Sequence, residues 1–108
     1  MVRLIEPFEY LDLADGVSVR LKATRFEWGE GVIHPRYAGA PAEKVIPLLR
    51  MYVVSGYKPT GAPYWDVSSK TLQGQLRPLE NQIVRDGREF VVTAHGSGPA
   101  KRFMVRVE

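Results

Sequence analysis

Val17-Ser18-Val19-Arg20-Leu21-Lys22-Ala23-Thr24-Arg25-Phe26-Glu27-Trp28 is the stretch that decides the fold. Val17, Val19, Leu21 and Ala23 alternate with polar residues and share one face of a strand, because successive strand side chains point to opposite sides. Phe26 and Trp28 have the other parity. One extra residue near Thr24 and Arg25, a β-bulge, would return both aromatics to the buried side and bend the strand. A long strand bent in its middle suits a small closed barrel, in which one strand serves two parts of the sheet.

Downstream, residues 29–48 hold Gly29, Gly31, Pro35, Gly39, Pro41 and Pro47. They read as a long loop with at most one helical turn around Ala42 to Ile46. A strand resumes at residues 49–55, with Leu49, Met51 and Val53 inward and Arg50, Tyr52 and Val54 outward. Tyr57 to Trp65 reads as a loop carrying three aromatics and Lys58, stiffened by Pro59 and Pro63. Asp66, Ser68 and Ser69 offer N-cap oxygens to a helix of about two turns, in which Leu72 and Leu76 share a face until Pro78 stops it. Trp65 reads as the plug beneath that helix. Asp86-Gly87 turns the chain into a terminal hairpin, Phe90 to Val107, whose strands flank Gly96-Ser97-Gly98-Pro99. Upstream, Val2 to Ile5 and Phe8 to Leu13 are short strand-like pieces parted by Pro7, and Asp15-Gly16 marks a turn.

This order of elements predicts a mainly β chain: a small five-stranded OB-like Greek-key barrel with one short helix between the third and fourth strands. An SH3-like barrel or a small sandwich has nearly the same order. The 108 residues suit a single β-barrel domain spanning 1–108, and 44% hydrophobic with 25% charged residues is ordinary for a globular chain. Cysteine is absent, which excludes disulfides and thiolate metal sites. No apolar run approaches the roughly 20 residues of a membrane span, and no secretory leader is visible, so a cytoplasmic location is expected. One asparagine, three glutamines and eight prolines hint at a thermophilic source.

Fifteen Lys and Arg against twelve Asp and Glu give a net charge of +3. Residues 1–54 carry seven of each sign, so the excess lies in residues 55–108. With Val17, Val19, Leu21, Leu49, Met51, Val53, Phe90, Val92, Phe103, Val105 and Val107 inward, the opposite parity carries Arg20, Lys22, Arg50, Tyr52, Arg102, Met104 and Arg106. Cations that neutralise phosphates, mixed with rings on which bases stack, are what single-strand nucleic-acid binders need. The same residues equally serve as the polar half of amphipathic strands. Tyr57 and Tyr64 with Lys58 add a candidate stacking platform, and Gly96-Ser97-Gly98 with Lys101 and Arg102 a candidate anion nest.

The segment His95 to Phe103, a strand followed by Gly-x-Gly and a basic-aromatic pair, resembles the closing hairpin of small phage and archaeal single-stranded-DNA-binding proteins with OB-folds. The resemblance covers about the last twenty residues; it implies an OB-fold and single-strand binding, and it transfers no individual residue role.

Catalytic signals are poor. His34 and His95 stand alone, without paired carboxylates or a metal-ligand spacing, and neither the Gly-rich loop nor Ser97 has the context of a P-loop or of a nucleophile. The expectation is therefore a non-enzymatic chain without metal or cofactor, binding single-stranded nucleic acid (DNA) with low sequence specificity. Its contacts would come from Arg20, Lys22, Arg50, Tyr52, Tyr57, Lys58, Tyr64, Lys101, Arg102 and Arg106. The alternative is a protein-interaction or assembly module, cellular or viral, in which Met104, Tyr52 and the 29–48 loop face a partner or form a homo-oligomer.

Overall fold

The computed structural model describes residues 2–58 and 60–108. Its elements are β1 (Val2–Arg3), β2 (Ser18–Leu21), β3 (Ala23–Ile33), β4 (Lys44–Val53), β5 (Tyr64–Val67), α1 (Lys70–Leu76), β6 (Phe90–His95) and β7 (Arg102–Val107). Pro59, read above as stiffening its loop, lies outside the described residues.

Two sheets share one nearly continuous strand. β1-β3-β4-β5 form the first and β2-β6-β7 the second, and only Lys22 separates β2 from β3. Register shifts between Ala23 and Arg25, so the bulge sits where the parity change demanded it. Beyond it Phe26 lies opposite Met51 and Trp28 opposite Leu49, on the core side. The core comes from both sheets and the helix: Leu21, Leu49, Met51, Leu72, Leu76, Ile83, Phe90 and Val92 are each at most 1% exposed. Each such side chain contributes about 1.5–3 kcal/mol relative to exposure. Ser69 caps α1 by accepting from the Leu72 amide, and Leu72 and Leu76 face inward. Pro78 does not stop the helical path as expected: Arg77 keeps helical angles, a 3-10 turn (Arg77–Leu79) takes the proline in its first turn where no amide donor is needed, and a wider π-turn (Asn81–Arg85) buries Ile83 before the 90–107 hairpin. Trp65 packs on the core from β5 and not from a loop.

The 29–48 loop is a correction. β3 runs on through Gly29 and Gly31, and β4 starts at Lys44, leaving residues 34–43 as the connection. The glycines are required by what lies on them: a Cβ at Gly29 would collide with the Val2 carbonyl oxygen, and one at Gly31 with Leu48. Pro47 is tolerated in β4, and its carbonyl accepts from Gln73 Nε2 at 3.1 Å.

The N-terminal segment supplies the reason. After β1 pairs parallel with β3, residues 4–8 cross the outer face of the first sheet, where Leu4 is buried and Phe8 approaches Gly31. At the far edge Tyr10 bridges Asp66 in parallel, and Leu11 and Leu13 enter the core. Among the described residues no ladder joins β5 to β7, so the expected closed five-stranded barrel is not found. Residues 9–13 stand beside that seam: Glu9 and Leu11 bond the β5 backbone at Asp66, and Asp12 Oδ1 lies 3.0 Å from Lys101 Nζ, next to β7. Phe8 to Leu13, read as a strand-like piece, is thus a strap with a single bridge.

Candidate nucleic-acid interface

Of the ten predicted residues the structure puts Arg50, Tyr52 and Tyr64 in the first sheet, Arg20, Arg102 and Arg106 in the second, and Lys22, Tyr57, Lys58 and Lys101 outside the strands. Arg50 and Tyr52 lie on the outer face of the first sheet, as parity required, and Tyr64, read as a loop residue, joins them there from β5, but the strap covers most of that face. Arg50 is buried, donating from Nε to Asp66 Oδ1 (2.8 Å) and from Nη2 to Asp66 Oδ2 (3.2 Å) and to the Ile5 carbonyl (2.8 Å). Its guanidinium stacks on Tyr64 at 4.0 Å. Burial works against the charge on Arg50, but the hydrogen bond and charge of Asp66 outweigh it and raise the pKa. Tyr64 is buried, its hydroxyl donating to the Pro7 carbonyl. Arg50 and Tyr64 are therefore not free to meet a phosphate or a base. Tyr52 is half-buried, edge-on to Tyr64 and beneath Arg25, whose guanidinium lies 5.0 Å from its ring centre.

Lys58 is a second correction. Its side chain is only 4% exposed, because Nζ donates to Glu9 Oε1 (3.1 Å) and to the carbonyls of Thr60 (3.1 Å) and Ala62 (2.7 Å). The ammonium also lies 4.5 Å from the Trp65 ring centre. Far from presenting a platform, it pins the 57–63 loop to the strap. The Ala62 amide, and after it Lys58, hold the Glu9 carboxyl below its ordinary range.

The second sheet leaves its outer face open. Arg20 lies opposite Val91, which lies opposite Arg106; Ser18, Thr93 and Met104 form the next row; His95 faces Arg102. Arg20, Arg102, Met104, Arg106 and His95 are exposed, and Met104 is 62% so. A groove of about 270 Å³ lies on one side of Met104, lined by Ser18, Val91, Thr93, His95 and Arg106. A larger one of about 680 Å³ runs between β7 and Thr71 and Gln75 of α1, with Lys101, Arg102 and Phe103 in its wall. Tyr57, half-buried, stands by Arg20 and Glu89; burial, then the hydrogen bond to Glu89, push its pKa up. Lys22 is half-buried at the switch between sheets.

Carboxylates temper this face. Arg20 lies 3.7 Å from Glu89 and 3.2 Å from Glu108, and Arg106 Nη2 is 3.2 Å from the same Glu108 Oε1. Arg102 has no carboxylate within ion-pair distance among the described residues. The Gly96 amide, read as part of an anion nest, donates instead to Asp15 Oδ1 at 2.8 Å. Phe103 is half-buried against the core, beneath Lys101 Nζ at 5.9 Å from its ring centre.

Sequence reasoning missed Asp66, Glu9 and Glu108 as partners of these cations. Only Asp66 carried a signal: extending the 64–67 segment as a strand beside residues 49–53 would have put it opposite Arg50.

Among the described residues no group of three or more His, Asp and Glu is placed to hold a metal ion, and no helix is long and apolar enough to cross a membrane. No family model, curated protein or solved structure matches the chain.

Proposed function

We propose that the chain binds single-stranded nucleic acid, with little sequence preference, on the open face of β2, β6 and β7. The observation that carries this reading is the convergence of Arg20, Arg102 and Arg106 on one solvent-facing sheet, with Met104, His95 and Tyr57 offering surfaces for bases. The spatial order β5-β4-β3/β2-β6-β7, with a helix between β5 and β6, supports an OB-like reading of the fold, and OB-folds are partly open barrels. Such folds bind oligonucleotides on the face of their second and third strands. Here the corresponding strands, β4 and β5, carry the strap on that face, so the reading rests on the other sheet.

Titration of a fluorescent oligothymidylate against salt tests it. Affinity should fall with log salt with a slope of about −2 if three arginines each engage a phosphate, at about −0.7 per contact for a single strand. Arg102→Glu with Arg106→Glu should weaken binding at least tenfold, and Arg36→Glu with Lys44→Glu, in the β3–β4 connection and at the first residue of β4, less than twofold. Absence of binding at low salt, or equal losses in the two pairs, would overturn the reading.

A second reading, assembly with another protein chain, is favoured by the outer side of the strap. Val2, Ile5 and Tyr10 are 51%, 71% and 39% exposed there. Sedimentation showing only monomer at high concentration would count against self-association.

A further inference from the structure

On the open sheet, the Glu108 carboxylate sits between the guanidiniums of Arg20 and Arg106. Arg20 and Arg106 lie on either side of Val91, two strand spacings or roughly 10 Å apart at their backbones. Their guanidiniums nevertheless converge, each placing an Nη atom 3.2 Å from Glu108 Oε1. One carboxylate oxygen shared by two guanidinium groups presents the donors with the same task as a non-bridging phosphate oxygen. The backbone of Glu108 is fixed independently of its side chain, by its amide bonding to the Glu89 carbonyl at 2.9 Å and its carbonyl accepting from Arg88 Nε at 2.7 Å. Its carboxylate can therefore leave the arginines without disturbing β7.

We infer that Arg20 and Arg106 form a phosphodiester site in which Glu108 is the resident counter-ion, displaced when a nucleic-acid phosphate enters. This rests on the reading of the open face given above and names the contact within it. Displacement costs little, because the side chains are 52%, 73% and 34% exposed and ion pairs open to water are weak. Glu89, 3.7 Å from Arg20 on its other side, stays in place and orients that guanidinium. Arg102, which has no carboxylate within ion-pair distance among the described residues, supplies a further contact on the same face.

The site makes an unusual demand: neutralising one of its own side chains must strengthen binding. Glu108→Gln keeps both backbone bonds and removes the resident charge, so affinity for oligothymidylate at low salt should rise about fivefold. Glu43→Gln, in the exposed 34–43 connection, makes the same change in net charge and, with both variants compared again at about 0.1 M salt where the Debye length is about 10 Å, should leave affinity within about 1.5-fold. Adding Arg20→Gln to Glu108→Gln should abolish the gain, and an oligothymidylate with uncharged methylphosphonate linkages should show none. Binding by the natural chain with no gain in Glu108→Gln, or with an equal gain in Glu43→Gln, overturns the site and leaves the reading of the face standing. No binding by the natural chain or by Glu108→Gln overturns both.

Discussion

Arg50 and Asp66 face one another across β4 and β5 as a two-pronged ion pair whose side chains are 5% and 0% exposed. Asp66 also accepts from the Glu9 amide at 2.9 Å, while Arg50 reaches the Ile5 carbonyl, so the pair bonds the strap at two points. A buried ion pair loses most of its Coulomb gain to desolvation, and its removal as a unit is far cheaper than breaking it. Asp66→Asn or Arg50→Met alone should therefore cost about 3–5 kcal/mol in urea denaturation. The double substitution Arg50→Met with Asp66→Leu should recover a large part of that loss, and additive costs would contradict this account of the pair.

Acid should loosen the strap through Glu9. Its carboxyl is held below the ordinary value of 4.5 by the Ala62 amide and Lys58. The unfolded chain consequently takes up that proton first as pH falls. The stabilisation is complete above about pH 4.5 and drains away as pH drops through the lower folded value. Glu9→Gln should be less stable at neutral pH and decline less steeply through that window. Parallel acid profiles of the two proteins would remove Glu9 from the strap's attachment.

Gly29→Ala should detach the start of the strap, because the new methyl group would strike the Val2 carbonyl oxygen and lie 3.3 Å from Leu4 Cγ. A cost of about 1–3 kcal/mol is expected, typical of overpacking. Hydrogen exchange should quicken at the Leu4 amide, which donates to the Glu30 carbonyl at 2.8 Å, while the Leu72 and Val92 amides stay protected. Uniform loss of protection would show instead that strap and core unfold together.

The two sides of the strap should respond unequally. Leu13 is 9% exposed within the core, and Leu13→Ala should cost about 2–5 kcal/mol. Ile5 is 71% exposed, and Ile5→Ser should stay within about 0.5 kcal/mol. Similar losses at both positions would mean that the outer side is covered in solution.

Short-range pattern determined much of this chain by itself. The parity change between Ala23 and Phe26 located the bulge, the cap candidates Asp66, Ser68 and Ser69 ahead of Leu72 and Leu76 located the helix, and the Gly-Ser-Gly-Pro loop located the closing hairpin, because each depends on residues within a turn or two. Parity also assigned Arg50, Tyr52, Arg102 and Arg106 to outward faces, but it assigns a side without saying whether that side is wet. Only the tertiary structure decided this: the strap crosses from β3 to β5 and covers Arg50 on its outward face, where it pairs with Asp66, while Arg102 and Arg106 stay in solvent. Gly29, Gly31 and Pro47 read as loop residues for the same reason, since a strand accepts them only where another segment lies close or a backbone donor is not needed. Pairings such as Glu9 with Lys58, or Glu108 with Arg20, span tens of residues, and no local periodicity encodes contacts made by chain crossing at that distance.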